Sequence, residues 1–407
     1  MSDEQESTLA ANVVQLTAKA SGVARRGRPW LFRDDIVQGS SSPPRLVRVL
    51  DENERDLGLG ITGASKLALR MCGPWPRHED PEQDVPTREE FFAARLTTAI
   101  DDRAGRLGPE DGARIVHAEG DWLPGLVVDR YGDVLVLQVT NTFVEESLDA
   151  IVPFLADRLS ATCVVARNDV PTRGRERLDQ YVEIVHGNRK LEVPIVEGTV
   201  THTVRPVTGH KTGFYLDQQP ARALVQSLAK ARRVLDLFCY QGGFALHALR
   251  GGATSAVAVD QSEEALQQAE QDAATNGLEG LTTQQGNVFD VVRALRDKNE
   301  QFDLIVLDPP AFAKSRRELP GAERGYRDLN RAALRLLAPN GFLVTCTCSH
   351  HVDGQRFEEL VRQSASGLPF RVATRQRLGA GPDHPALITH PESEYLKVLL
   401  MQRVGGA

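Results

Sequence analysis

Val234-Leu235-Asp236-Leu237-Phe238-Cys239-Tyr240-Gln241-Gly242-Gly243-Phe244 is the stretch on which the fold turns. A short apolar run reads as a buried strand, and the glycine-containing loop after it leads into a helical pattern. Further along, a strand-like run at 255–259 leads into a second helix, 263–276, and Phe302–Leu307 and 341–345 are further buried-strand runs. Strands alternating with helices predict an α/β fold with a parallel, doubly wound sheet.

In such sheets ligands sit at the carboxyl ends of the strands. The loop is not G-x-G-x-x-G, and the chain holds no Walker A motif, so the backbone cradle that a pyrophosphate needs is missing. A degenerate nicotinamide or flavin fold would lack its phosphate holder. The loop offers instead one carboxylate (Asp236), two aromatics (Phe238, Tyr240) and a glycine pair, Gly242-Gly243, that lets backbone approach a ligand closely. The second strand ends in Asp260, able to accept ribose hydroxyls, and Asn287 follows a third strand-end segment, where an amide can meet an adenine edge. This set suits a cationic adenosyl sulfonium, S-adenosylmethionine, better than a phosphate.

The fourth strand runs into Asp308-Pro309-Pro310-Ala311-Phe312. Two prolines fix φ and hold Asp308 in place beside a transferred methyl; the alternative is a structural turn capping a helix. The fifth strand runs into Cys346-Thr347-Cys348-Ser349-His350-His351. A thiol at a strand end, facing the ligand edge, is placed to act as a nucleophile. Carbon 5 of cytosine is too weak a nucleophile to take a methyl directly, whereas a thiolate adding at carbon 6 makes it enamine-like. Asp308 would then hold or protonate N3, and His350 or His351 could assist the thiol. The bland alternative is a small buried hydrophobe, and Cys239 reads that way. A zinc reading of the Cys-x-Cys-x-His-His run lacks a second Cys/His pair at ligand spacing, so no metal is expected.

The 407 residues are enough for two or three domains. Residues 1–10 read as a loose tail. Residues 11–82 form short apolar runs cut by turn residues, a small β-rich module ending in a Pro-, Asp- and Glu-rich linker, 74–86. Residues 87–199 read as a compact α+β domain: a helix over 87–107, a hairpin from Trp122 to Val139, a helix over 145–159 and strands at Cys163–Arg167 and 191–196. Residues 200–407 carry the methyltransferase pattern. The net charge of −7 counts mildly against RNA. Local basic clusters, Arg25-Arg26-Gly27-Arg28, Arg173/Arg175/Arg177 and Lys314-Ser315-Arg316-Arg317, are either RNA contacts or solvated faces. No membrane span or leader pattern is expected, and five scattered cysteines do not make a disulfide framework, so the expected compartment is the cytoplasm.

Several segments together resemble the RlmI-type class I methyltransferases, the large-subunit ribosomal RNA cytosine-C5 enzymes. They are Gly209-His210-Lys211-Thr212-Gly213-Phe214-Tyr215-Leu216-Asp217-Gln218-Gln219, the 236–244 loop, 308–312, Gly325-Tyr326-Arg327-Asp328-Leu329-Asn330, Thr347-Cys348-Ser349, Asp383-His384-Pro385 and Tyr395-Leu396-Lys397. The 122–138 hairpin and Arg167-Asn168-Asp169 extend the match. The resemblance implies an N-terminal PUA-like RNA-binding module, around Arg28-Pro29-Trp30-Leu31-Phe32, a small central domain and a Rossmann-like domain with a mostly parallel seven-stranded sheet. It implies S-adenosylmethionine as cofactor, ribosomal RNA as partner, Cys348 as nucleophile with Asp308 beside it, and cofactor contacts at Phe238, Tyr240, Asp260 and Asn287, with Asp236, Gly242, Asp217 and Gln218 nearby. Lys211, Pro309, Pro310 and Phe312 are candidate substrate contacts, and Arg25, Arg26 and Arg28 candidate RNA contacts. Asp308-Pro309-Pro310 stands where other RNA cytosine methyltransferases carry a companion cysteine, so adduct release cannot use a second thiol. A homodimer is compatible with the resemblance. The rival readings are an amino-directed RNA methyltransferase and a non-catalytic RNA-binding assembly factor.

Overall fold

A computed structural model describes residues 12–39, 41–77, 84–106, 108, 110–313 and 317–405. The expected tail at 1–10 and most of the 314–317 basic cluster lie outside the described residues. The chain forms two compact units. One holds the residues up to 193 together with 204–214 and 383–393; the other holds 194–203, 215–382 and the residues from 394 on.

The second unit is built on seven strands: β1 (Arg233–Leu237), β2 (Ser255–Asp260), β3 (Leu281–Gln285), β4 (Phe302–Leu307), β5 (Leu337–Thr347), β6 (Arg371–Leu378) and β7 (Lys397–Val404). Their order is β3-β2-β1-β4-β5-β7-β6, and only β7 runs against the others. Six helices cover the sheet: α1 (Gln219–Leu228), α2 (Gly243–Arg250), α3 (Glu263–Thr275), α4 (Val288–Asp297), α5 (Leu319–Arg335) and α6 (Gly354–Ala365). Strand side chains alternate between faces, and the two cores show it. Val234, Leu304 and Val306 pack with α1, α2 and α3, whereas Leu235, Leu237, Ile305 and Leu307 pack with α4, α5 and α6. A sheet buried on both faces explains why these strands read as unbroken apolar runs rather than as alternation. Helix starts are set locally: Ser262, Asn287 and Asp353 each accept a bond from a first-turn amide of α3, α4 and α6.

The first unit contains two sheets. A six-stranded one runs Trp30–Phe32, Leu67–Met71, Asp56–Thr62, Leu46–Leu50, Val13–Leu16, Ile36–Gln38, with helix Ala18–Arg25 capped by Thr17. A five-stranded one runs Val182–Gly187, Cys163–Arg167, Val134–Val139, Leu126–Tyr131, Gly112–His117. The expected hairpin is present, its register pairing Tyr131 with Val134, so the connection narrows to Gly132 and Asp133. The helix expected over 87–107 spans Arg88–Asp101, started by a Thr87/Glu90 capping box. The one expected over 145–159 spans Leu148–Arg158, after a single turn at Thr142–Glu145.

Three expectations need revision. The 74–86 linker is tied down where it is described: the buried Arg48 guanidinium donates to the Trp75 and Pro76 carbonyls and to Asp84; residues 78–83 lie outside the described residues. The boundary near 199/200 is also displaced. The hairpin Val193–Glu197/Val200–Val204 mostly joins the second unit, while 204–214 returns to the first. Arg167 donates to the Pro206 and Gly209 carbonyls, and Tyr131 bonds Thr212 and Phe214, which holds that return in place. Asp383 likewise accepts from the Arg114 amide, keeping 383–393 with the first unit. Third, Arg173 is no surface cation: it is buried, pairing with Glu145 and bonding the Val139 and Asp179 carbonyls. Among the described residues no helix is long and apolar enough to cross a membrane.

Candidate active site

The carboxyl ends of β1, β2, β4 and β5 gather most of the expected residues. Asp236, next to last in β1, is fully buried, its Oδ2 accepting the Ala245 amide at 3.0 Å. Burial pushes its carboxyl up to about 8, with the charges of Asp308 and Asp260 adding to the shift against the Ala245 bond. The loop after it bends sharply: Phe238, Tyr240 and Gly242 all have positive φ, at 62°, 48° and 69°. Two non-glycine residues in that region within three positions mark stored strain, which clusters at ligand sites. Asp260 fixes the bend, its Oδ2 accepting the Tyr240 amide and its Oδ1 the Ser262 amide. Asn287 spends its Oδ1 on capping α4, which leaves the Nδ2 donor for a ligand edge.

The Asp217-Gln218 pair closes the other side. Tyr395 donates to Asp217 at 2.7 Å, and Gln218 Nε2 donates to Asp308 Oδ2 at 2.8 Å. Gln218 thus orients the Asp308 carboxylate. Tyr215 stands edge-on to Tyr240 at 5.6 Å and feels the charges of both Asp308 and Cys348. Burial raises its phenol, so it stays a neutral donor.

Parallel pairing of β4 with β5 aligns Leu307 with Thr345, which sets Asp308 level with Cys346. Cys346 is fully buried in the core and its thiol is pushed well up by burial. Cys348, two residues on, is partly exposed. Cys346 and Cys239 belong to the buried core, whereas Cys348 packs against its margin with part of its surface exposed. The segment around Cys348 is anchored on both flanks. Thr347 donates to the Tyr326 hydroxyl at 2.8 Å, and Lys397 donates to the Ser349 carbonyl at 3.1 Å. Tyr326 packs on Phe312 at 4.9 Å, and a Cβ at Gly325 would touch that ring at 3.4 Å. The Gly325-Tyr326 segment therefore locks the Asp308–Phe312 turn to the Cys348 strand end. His350 faces Tyr395 at 5.8 Å and both His350 and His351 are exposed.

Not every expected residue falls here. Lys211, exposed, and Arg25, Arg26 and Arg28 belong to the first unit. Arg25 pairs with Asp51, and Arg28 with Glu392 at 2.8 Å. Tyr215, Tyr326 and Lys397 sit in quoted segments without having been singled out; nothing in their types or spacing marks them, since they act through residues brought together by the sheet.

Does the site fit S-adenosylmethionine? Asp236 Oδ1 and Gln241 Oε1 are buried with no hydrogen-bond partner in the protein, so two polar atoms of β1 and the loop after it are left for a ligand to satisfy. A carboxylate, an aromatic pair, a ribose acid and a capped amide are all at the strand ends, so the residues fit.

The comparisons agree. A model of the S-adenosylmethionine-dependent methyltransferase family matches residues 113–401, and one of the PUA-like domain matches 14–72. A curated relative from Aeromonas hydrophila, named ribosomal RNA large subunit methyltransferase I, is 36% identical over 403 residues, covering 97% of this chain and all of its own. The chain belongs to that family of S-adenosylmethionine-dependent methyltransferases. A relative of the same name from Shewanella denitrificans is 36% identical over 92% of this chain and 95% of its own. Among solved structures, a protein described as a methyltransferase in complex with SAH aligns with TM-score 0.81 at 20% identity, over 96% of this chain and 99% of that one. A methyltransferase from Streptococcus mutans gives 0.79 at the same identity and coverage. The fold expected from the motifs, a PUA-like module with a class I methyltransferase domain, is the fold of the family.

Proposed function

We propose that this enzyme transfers a methyl group from S-adenosylmethionine to carbon 5 of a cytosine in large-subunit ribosomal RNA, with Cys348 as nucleophile. The placement that supports it is a partly exposed thiol two residues beyond Cys346, on the strand beside a carboxylate that Gln218 orients. Relatives matched end to end carry the ribosomal RNA large subunit methyltransferase name, and the PUA-like module, residues 11–82, is the RNA-holding part of this reading.

S-adenosylmethionine supplies the methyl as an electrophile. Cys348 Sγ, as thiolate, bonds to carbon 6, and the electron pair of the 5,6 double bond shifts onto carbon 5 and toward N3, which makes carbon 5 enamine-like. Asp308, as the acid, donates its proton to N3 and so neutralises the charge that develops there. Carbon 5 then takes the methyl, the sulfonium carrier leaving as a neutral thioether, and N3 returns its proton to Asp308; a base removes the carbon-5 proton, the double bond re-forms and the carbon–sulfur bond to Cys348 breaks. Asp308-Pro309-Pro310 leaves no companion thiol at that turn, so release proceeds by elimination. Phe238, Tyr240, Asp260, Asn287, Asp217 and the Gly242 approach hold the cofactor, while Pro309, Pro310, Phe312 and Lys211 contact RNA together with Arg25, Arg26 and Arg28. We place the enzyme in the cytoplasm, where its scattered thiols stay reduced.

The test is methyl transfer from labelled S-adenosylmethionine to bulk ribosomal RNA, with nucleoside analysis, for wild type and Cys348→Ala. Labelled 5-methylcytidine from wild type and none from the variant is expected. N-methylated nucleosides surviving the substitution would establish the amino-directed reading instead. RNA binding with no turnover by wild type would establish an assembly factor.

A further inference from the structure

Away from the reaction site, three side-chain atoms of the second unit able to ligate a metal converge in its interior: Glu197 Oε1, His202 Nε2 and His247 Nε2. The first two residues come from the Val193–Glu197/Val200–Val204 hairpin and the third from α2, and all three are buried. His247 Nε2 lies 3.2 Å from Glu197 Oε1 and 3.3 Å from His202 Nε2.

The three side chains are spaced as a set of metal ligands. Gln226 Nε2 donates to Thr199 Oγ1, which turns Gln226 Oε1 toward His247 Nδ1 at 2.8 Å. With the Gln226 amide in this orientation the His247 proton sits on Nδ1, and its Nε2 presents a lone pair to the cluster. Glu197 presents oxygen lone pairs, its carboxylate already clasped by Arg222 through bonds of 2.6 and 2.5 Å. A metal ion placed among these atoms would be held by all three side chains.

We propose that Glu197, His202 and His247 bind a divalent transition metal of the zinc class. Zinc–nitrogen and zinc–oxygen bonds of about 2.0–2.1 Å in a tetrahedron put neighbouring donor atoms ~3.3–3.4 Å apart, and the two measured edges are 3.2 and 3.3 Å. The outer partners are those a metal site needs: Gln226 fixes the His247 tautomer, and Arg222 fixes the Glu197 carboxylate. Arg222 also consumes the one anionic charge, so two neutral imidazoles and a shared carboxylate hold the ion. Such a set selects metals that favour imidazole and releases them to a strong chelator. The ion would clamp the hairpin to α2, whose first turn carries the Ala245 amide that binds Asp236. This departs from the expectation of no metal, which rested on the Cys-x-Cys-x-His-His run alone.

The test uses the full chain, stripped with EDTA and titrated with Co²⁺ alone. One equivalent should bind with the visible absorption of a four-coordinate ion, be displaced by Zn²⁺, and raise the melting temperature. His202→Gln and His247→Gln should each weaken binding at least ~100-fold, beyond what loss of an outer-shell partner costs, while Cys348→Ser should leave the spectrum unchanged. No saturable binding by wild type, or bands that survive both histidine substitutions, would overturn the site. Should either variant fail to fold, anomalous diffraction at the zinc edge from wild-type crystals soaked in Zn²⁺ decides: a peak among the three residues supports the site, and a peak elsewhere or none sinks it.

Discussion

Asp236 carries an acid whose proton is the easiest handle on cofactor binding. The folded carboxyl holds its proton to about 8, whereas an unfolded aspartate loses it near ~3.9. Between those values the native state binds more protons than the unfolded state. This group therefore makes the ligand-free enzyme less stable as pH rises through that window. A cation placed beside Asp236 favours the ionised form, so binding releases a proton and affinity rises with pH up to about 8, by at most about tenfold per unit. Calorimetry of S-adenosylmethionine binding in buffers of differing ionisation enthalpy reads the proton directly, and Asp236→Asn should flatten the profile. A wild-type affinity that is level from about pH 6 to pH 8 would mean Asp236 does not face the sulfonium. Gln218 gives a second handle, because it touches Asp308 without being able to donate a proton in the reaction. Gln218→Leu removes one hydrogen bond to a charged group, worth about 1.5–3 kcal/mol, so turnover should fall roughly 10- to 150-fold. Cofactor affinity measured on the same preparation should change far less, and an equal loss in both would make Gln218 part of the cofactor site.

At the scale of elements, the β1 loop shows what a sequence can and cannot disclose. Its glycines were readable as a place where backbone approaches a ligand, and the structure adds the reason for Gly242: at φ 69°, a Cβ there would lie 2.9 Å from the Ala269 Cβ of α3. Gly242→Ala should thus push α2 and α3 apart at the loop. It should cost about 1–3 kcal/mol in urea unfolding and weaken S-adenosylmethionine binding, and a variant with wild-type stability would show that the loop relaxes freely. The strands were legible because burial on both faces leaves nothing but apolar residues. The Arg222–Glu197 pair was not legible, since it joins α1 to a hairpin across 25 positions and neither residue type stands out in a chain one-quarter charged. The same is true of the His202–His247 approach. The displaced 204–214 boundary was hidden for a related reason: it depends on Tyr131 and Arg167, whose partners lie in a segment that reads as continuous with the methyltransferase pattern.

For the molecule as a whole, the net charge of −7 sets how it can meet RNA. Two of the expected RNA-binding arginines already hold acids, Arg25 with Asp51 and Arg28 with Glu392, and Arg173 is buried. Phosphate binding through Arg25 or Arg28 must therefore exchange one ion pair for another and gains little from charge alone, whereas Arg26, exposed at the end of the Ala18–Arg25 helix, can neutralise a phosphate without breaking a pair seen in the fold. Each phosphate neutralised adds about −0.7 to −0.9 to the slope of log affinity against log salt. Arg26→Ala should accordingly make that slope shallower by about 0.7–0.9, and Arg28→Ala by clearly less, because releasing Glu392 cancels part of its contribution. Filter binding of ribosomal RNA fragments across a salt series measures both. Equal changes for the two variants would mean that the Arg28–Glu392 pair opens on binding and that all three arginines act as one basic surface. A slope untouched by either would remove the 25–28 cluster from the RNA contact altogether and leave recognition to uncharged contacts of the PUA-like module.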